Sequence, residues 1–226
     1  MRENKKLFRK SKPPTFAVIG DGECEFWYFQ MLKRNERSLQ VTIKPDIPQK
    51  KKLKDLFDRV MEHSKDYDKV FWVVDLDVIV SESRLVAKGK ESPLQEFKKY
   101  VNKIEKTTKN VTIILNNPCL EFWLLLHFEA TGKYFDNCND VTKRLRKHLP
   151  NYEKTENYYT KQNDDIYLKL KSKLNIAIEN ADKLMDSAIE FLKFDLDNPE
   201  TAVSQMQFIF QTKEIIDIIN TNKVTT

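Results

Sequence analysis

Residues 70–77 read VFWVVDLD. Val70, Phe71, Trp72, Val73 and Val74 follow one another with no polar interruption. Such a run suits a strand buried on both faces better than one that alternates between core and water. It stops abruptly at Asp75, and a second carboxylate, Asp77, follows two residues later. A doubly buried strand belongs to a parallel sheet covered by helices, so strands and helices should alternate around it.

The flanking sequence has that alternation. Upstream, residues 15–20 (TFAVIG) form a compact apolar run after Pro13-Pro14, and Asp21-Gly22 turns the chain into a helix over residues 23–36. Residues 41–44 make a short strand ended by Pro45 and Pro48, and residues 50–64 an amphipathic helix with Leu53, Leu56, Phe57 and Val60 on one face. Downstream, a loop follows Asp77, and Pro93 opens a helix to about residue 106. Residues 111–115 (VTIIL) form another buried strand. Asn116-Asn117-Pro118 then begins a helix to about residue 129, with Pro118 at its first position. After Gly132 strand signals cease, and residues 139–148, 164–194 and 200–220 read as helices. The expected organisation is a basic flexible tail (1–14), an α/β domain with a parallel sheet flanked by helices (15–130), and a C-terminal helical extension (131–226).

Composition sets further bounds. The chain has 226 residues, 40% hydrophobic and 32% charged, with only 4 Gly, which favours helix over an all-β sandwich. The net charge of +5 resides in the tail, where Arg2, Lys5, Lys6, Arg9, Lys10 and Lys12 face Glu3 alone. The body is neutral, so a high pI is no argument for nucleic acid, and a solvated arm is the plainer reading of the tail. Of the 3 Cys (Cys24, Cys119, Cys138), none forms a C-x-x-C pair, and the odd count supports neither a disulfide framework nor a zinc knuckle. The double Pro excludes a typical signal peptide, and the longest apolar stretch, 122–128, is too short for a membrane span. A reducing cytoplasm and no membrane partner are expected.

Ligands of open parallel sheets bind beyond the carboxyl ends of the strands. Asp21, Glu23 and Glu25 follow the first strand, and Asp75 and Asp77 the third. Asn116, Asn117 and, a turn into the next helix, Glu121 follow the fourth. No basic residue separates the members of these groups. Packed carboxylates repel and resist ionisation, and a divalent cation removes that conflict. Asp21 and Glu25, four apart, share one side of their helix, whereas Glu23 points elsewhere. The plainer explanations are surface turns for D-x-D and helix-dipole partners for Glu25 and Glu121. Trp27, Trp72 and Trp123 accompany the three acidic stretches, where core packing is the plain reading and base stacking the bolder one. His127, inside LLLHF, reads as a core histidine. Cys119, at a helix start, lacks the partners of a nucleophile. Two basic clusters (Lys50-Lys51-Lys52 with Lys54, and Lys143-Arg144 with Arg146-Lys147-His148) suit solvated faces or a phosphate channel.

The segments DGECEFWYF (21–29), FWVVDLD (71–77) and above all NNPCLEFWLLLHFE (116–129) resemble the RloB-like family, as do residues 159–183 and Asn198-Pro199. That family is similar to Toprim domains, the metal-dependent fold of topoisomerases, primases and OLD-type nucleases. The resemblance implies a Toprim-like sheet, with Asp21 standing where Toprim proteins usually have Glu, Glu25 matching the second acid of the OLD-type variant, and Asp75 and Asp77 matching the D-x-D. It also implies phage defence beside a companion ABC-type ATPase. The expected activity is a Mg²⁺-dependent (or Mn²⁺-dependent) endonuclease acting on DNA or tRNA. Asp75, Asp77, Glu25 and Glu121 would hold the metal, and Asp21 would complete the site as ligand or base. Two competitors are a non-catalytic effector subunit of the ATPase and a haloacid-dehalogenase-like phosphatase, whose nucleophile motif VVDLDVI resembles. Oligomeric state is left open, with a homo-oligomer compatible.

Overall fold

The computed structural model describes residues 12–37, 39, 42–47, 52–187 and 201–216. Most of the basic tail, Lys50-Lys51, Asn198-Pro199 and the ends of the last two expected helices lie outside the described residues.

The architecture is α/β, with one five-stranded sheet in the order β2-β1-β3-β4-β5. Strands β1 (Thr15–Ile19), β2 (Thr42–Asp46), β3 (Lys69–Asp75) and β4 (Val111–Asn117) run parallel. The two-residue β5 (Val203–Ser204) is antiparallel to β4. Edge strand β2 accommodates Pro45 because it pairs on one side only.

Alternate residues of the strands enter two cores. Phe16, Val18, Phe71 and Val73 face one, with α1 (Glu23–Asn35) and α5 (Leu120–Leu126). Ala17, Ile19, Val70, Trp72 and Val74 face the other, with α2 (Leu53–His63), α3 (Leu76–Arg84) and α4 (Pro93–Thr107). A capping box of Ser92 and Gln95 starts α4, with Pro93 in its first turn. The chain steps outward from β1 to β2, then back across to β3. The gap between the carboxyl ends of β1 and β3 is therefore the topological switch point, where sheets of this kind bind ligands.

Five segments differ from the sequence expectation. Strand β2 runs on through Pro45 to Asp46 instead of ending before Pro45. The expected loop after Asp75 is α3, missed because Val78-Ile79-Val80 lowers local helix propensity while Leu76, Ile79 and Val80 supply a buried face. Pro118 is not in a helix: β4 continues through Asn117, the Asn117–Pro118 peptide is cis, and α5 starts at Leu120. Short turns break the C-terminal region into α6 (Cys138–Leu145), α7 (Glu156–Thr160), α8 (Ile166–Lys171), α9 (Leu174–Ser187) and α10 (Gln207–Phe210). Strand β5 was not expected at all. It is held partly by a side chain, since the Leu115 N–H donates to Gln205 Oε1 at 3.0 Å and Gln205 N–H to the Leu115 carbonyl at 2.9 Å.

The helices after residue 131 share the α1–α5 core. Tyr152, Tyr159, Tyr167 and Phe210 are buried there, and the Trp123 indole donates to Tyr28 Oη at 3.1 Å. All seven residues of α5 are buried, as its apolar sequence requires. His127 is buried in the same core. Its Nδ1 lies 3.0 Å from the Trp123 carbonyl, and burial pushes its pKa down to about 4.

Candidate metal centre

The β1–α1 turn brings Asp21 and Glu25 to the switch point. Glu25 is 4% exposed and folds back over the turn, which is possible because positions 20 and 22 are glycine. A Cβ on Gly22 would sit 2.3 Å from Glu25 Oε2, and one on Gly20 would sit 2.8 Å from Glu25 Cβ. Glu25 Oε2 is buried without a hydrogen-bond partner. Glu23 is exposed.

Asp75 ends β3 and caps α3. It is partly buried and oriented from β4 and α5: Asn116 Nδ2 donates to Oδ1 and the Leu120 N–H to Oδ2, each at 3.2 Å. Asn116 is in turn fixed by Ser204 of β5, whose hydroxyl donates to Asn116 Oδ1 at 2.7 Å. Thus β5, too short to matter for sheet stability, positions the partner of Asp75.

Burial first, then the Asp21 charge and more weakly that of Glu121, pushes Glu25 up to about 8. Asp75 is raised well above the carboxylate range by burial, then by Glu25, Asp21 and Glu121. Asp77 is raised mainly by burial, against the pull of the Val78 and Cys138 N–H groups and Lys154. Glu121 also raises it, and α3, which begins at once, carries Asp77 into its first turn. Asp21, Glu25 and Asp75 therefore raise one another by mutual repulsion, with a weaker contribution from Glu121, and Asp77 stands in the first turn of α3. Asp46, the last residue of β2, serves as a contrast. Its Oδ2 meets Arg59 Nε at 2.7 Å and His63 Nε2 at 2.6 Å, and it is held below the usual range.

Glu121 is 1% exposed and has a cation. Lys154 Nζ lies 2.8 Å from its Oε1, and Tyr152 Oη donates to the same atom at 2.7 Å. Tyr152 and Tyr159 hydroxyls are 2.6 Å apart. The absence of a basic residue among the acids thus holds only for the sequence around the strand ends. Lys154 arrives from the helical half, where no strand-end argument would look.

The cysteines also depart from the expectation of no bridge. Cys119 and Cys138 form a disulfide, with Sγ of Cys138 2.8 Å from Glu121 Oε2. An odd cysteine count excludes complete pairing, not a single bridge, and the turn between α5 and α6 brings the two together. Such a bridge is favoured in oxidising compartments, so the expectation of a reducing cytoplasm rests on the sequence alone. Among the described residues no helix is long and apolar enough to cross a membrane.

The donor set fits a hard divalent cation in part. Asp21, Glu25 and Asp75 offer only oxygen, the chemistry of Mg²⁺ or Mn²⁺, and Glu25 Oε2 is a buried acceptor lacking a donor. Glu121 has its Oε1 engaged by Lys154 and Tyr152, so it would join directly only by releasing them. Among the described residues, the trio of candidate ligand atoms within 4.8 Å of one another is Cys119, Glu121 and Cys138, whose sulfurs are joined to each other. The carboxylates at the switch point are thus coupled but spread more widely.

A family model described as RloB-like protein matches residues 16–206, from β1 to just past β5. The chain belongs to the RloB-like family. No curated protein and no solved structure matches it. The family match spans the Asp21–Glu25 turn, Asp75, Asp77, Glu121 and Lys154, so the sheet's acids and the α6–α7 connection that supplies Lys154 fall within one family unit.

Gly22→Ala tests the turn directly. The added methyl must displace the Glu25 carboxylate, so Mn²⁺ affinity measured by calorimetry should fall at least about tenfold. Unchanged affinity would remove Glu25 from the site.

Proposed function

We propose that this RloB-like protein is a Mg²⁺-dependent phosphodiesterase of Toprim type that cuts nucleic acid, DNA or tRNA, in phage defence beside a companion ABC-type ATPase. The observation that carries this reading is the coupling of Asp21, Glu25 and Asp75 at the sheet's switch point, with Glu25 buried and one of its oxygens lacking a donor. Bound Mg²⁺ would supply polarisation of the scissile phosphate and neutralisation of developing charge. Glu25 and Asp75 are the ligands this reading favours, with Asp21 as a third ligand or as the acceptor of a proton from water. Asn116 and the Leu120 N–H hold the Asp75 carboxylate in one orientation. Lys154, its side chain 47% exposed, offers a cation to a phosphate oxygen beside Glu121.

The test is incubation of single-stranded DNA, duplex DNA and tRNA with the protein and Mg²⁺ or Mn²⁺, with EDTA as control. Metal-dependent cutting of at least one substrate is expected. The Lys154–Glu121 pair favours one other reading, a non-catalytic effector whose site is partly self-neutralised. Metal binding without cutting, with or without the ATPase, would select it.

A further inference from the structure

Cys119, Glu121 and Cys138 meet where α5 and α6 begin: Cys119 is the N-cap of α5, Glu121 stands in its first turn, and Cys138 opens α6. One ligand atom from each lies within 4.8 Å of the others. The two oxygens of Glu121 differ. Oε1 receives the Lys154 ammonium and the Tyr152 hydroxyl. Oε2 has Cys138 Sγ at 2.8 Å, and a sulfur in a disulfide carries no proton to donate. Among the described residues no N–H or O–H hydrogen bond ends on Oε2, so a carboxylate only 1% exposed presents a bare oxygen to sulfur. A buried acceptor left in that state is costly.

Opening the bridge turns the same three groups into a ligand set. Two thiolates and a carboxylate suit a thiophilic, tetrahedral ion such as Zn²⁺, whereas Mg²⁺ takes oxygen alone. The charges balance. Two thiolates and Glu121 are offset by Zn²⁺ and by Lys154, whose Nζ lies 3.2 Å from Cys138 Sγ and 2.8 Å from Glu121 Oε1. The Lys154 side chain is 47% exposed and Cys138 is partly exposed, so the trio adjoins groups that reach water. Three protein ligands leave the fourth position of the ion to water.

We infer that the dithiol form of this protein binds Zn²⁺ through Cys119, Cys138 and Glu121, and that closing the bridge expels the ion. A dithiol reductant gives two electrons and two protons to the Cys119–Cys138 bond and is itself oxidised to a disulfide. Zn²⁺ then takes both sulfurs and Glu121 Oε2, and the two thiol protons leave to solvent. A disulfide oxidant runs the exchange backwards. It accepts two electrons from the sulfurs and two protons from solvent, the S–S bond re-forms, and the ion leaves. The site uses none of Asp21, Glu25 and Asp75, so it stands apart from the nuclease reading.

Co²⁺ is the probe, because thiolate ligands give it a charge-transfer absorption that oxygen ligands do not. Protein reduced by a dithiol and desalted without oxygen should carry three free thiols per chain, and protein oxidised by a disulfide reagent should carry one, Cys24. Reduced wild type should show the thiolate–cobalt band, oxidised wild type should not, and Zn²⁺ should bleach it. Cys24→Ser and Asp75→Asn should both keep the band. Losing a hydrogen-bond partner of a ligand already costs a metal site roughly 10–100-fold in affinity, so Cys138→Ser should weaken Co²⁺ binding at least about a hundredfold and Glu121→Gln at least about tenfold. A bridge that the dithiol cannot open in the native protein, a reduced protein without the band, equal bands in both redox states, or a band that survives Cys138→Ser overturns the inference. The redox comparison needs no variant, so a substitution that fails to fold leaves the claim exposed to it.

Discussion

Asp75→Asn should lower cleavage by at least about a hundredfold at saturating Mg²⁺ while leaving the fold intact. Asp75 ends the central strand β3, and its two oxygens face different donors, Asn116 Nδ2 and the Leu120 N–H. In the proposed centre a carboxylate so fixed cannot be replaced by a neighbour, since Glu25 and Asp21 follow another strand and Asp77 has already turned into α3. The amide removes one negative charge and turns one acceptor into a donor, so one of the two hydrogen bonds is lost. Against that, the variant relieves repulsion from Glu25 and Asp21, which is why unfolding should change little. Glu23→Gln is the control: it lies two residues from both Asp21 and Glu25 but is exposed, and its activity should match wild type. The measurement is cleavage rate with circular dichroism on the same preparations. Equal cutting by Asp75→Asn and wild type would remove the carboxylates at the switch point from the chemistry.

How far the sequence reaches can be judged at this same site. The strand–helix alternation was legible because doubly buried strands are continuous apolar runs, and β1, β3 and β4 all announce themselves that way. The placement of Asp21, Glu25 and Asp75 at one sheet edge follows from that alternation plus the rule about strand ends. Helix α3 was not legible, because its first residues serve equally well as strand, and only tertiary burial of Leu76, Ile79 and Val80 decides. Strand β5 left no signal, since two residues have no periodicity and the Gln205 side chain does part of the pairing. Lys154 and Tyr152 reach Glu121 from more than thirty residues away in sequence, across a helical region whose docking no local pattern encodes. The same docking joins Cys119 to Cys138. Local chemistry therefore located the acids, and the C-terminal half determines which of them is neutralised.

Glu25→Gln should stabilise the protein in the absence of divalent cations, by on the order of 3 kcal/mol at pH 7. The carboxyl is almost fully buried, and its folded pKa of about 8 stands above its ordinary value of 4.5. Between those two values the folded state keeps a proton that the unfolded chain has released. Stability is therefore full below pH 4.5, falls as pH rises through the window, and levels off above about 8. Glutamine is neutral throughout, so the variant's stability should lack this descent, and its melting temperature at pH 7 should exceed that of wild type by roughly 10 °C. Added Mn²⁺ reverses the order. In the proposed centre, binding only to the native state would stabilise wild type by mass action, and the variant, short of one ligand, would gain less. A residue placed for packing would show the opposite, a loss of stability on substitution and no interaction with metal. Thermal unfolding of both proteins across pH, with and without Mn²⁺, separates the two cases. A Glu25→Gln protein that melts below wild type at pH 8 without metal would mean that Glu25 is held by an attraction, and the coupled-acid account of the site would fail.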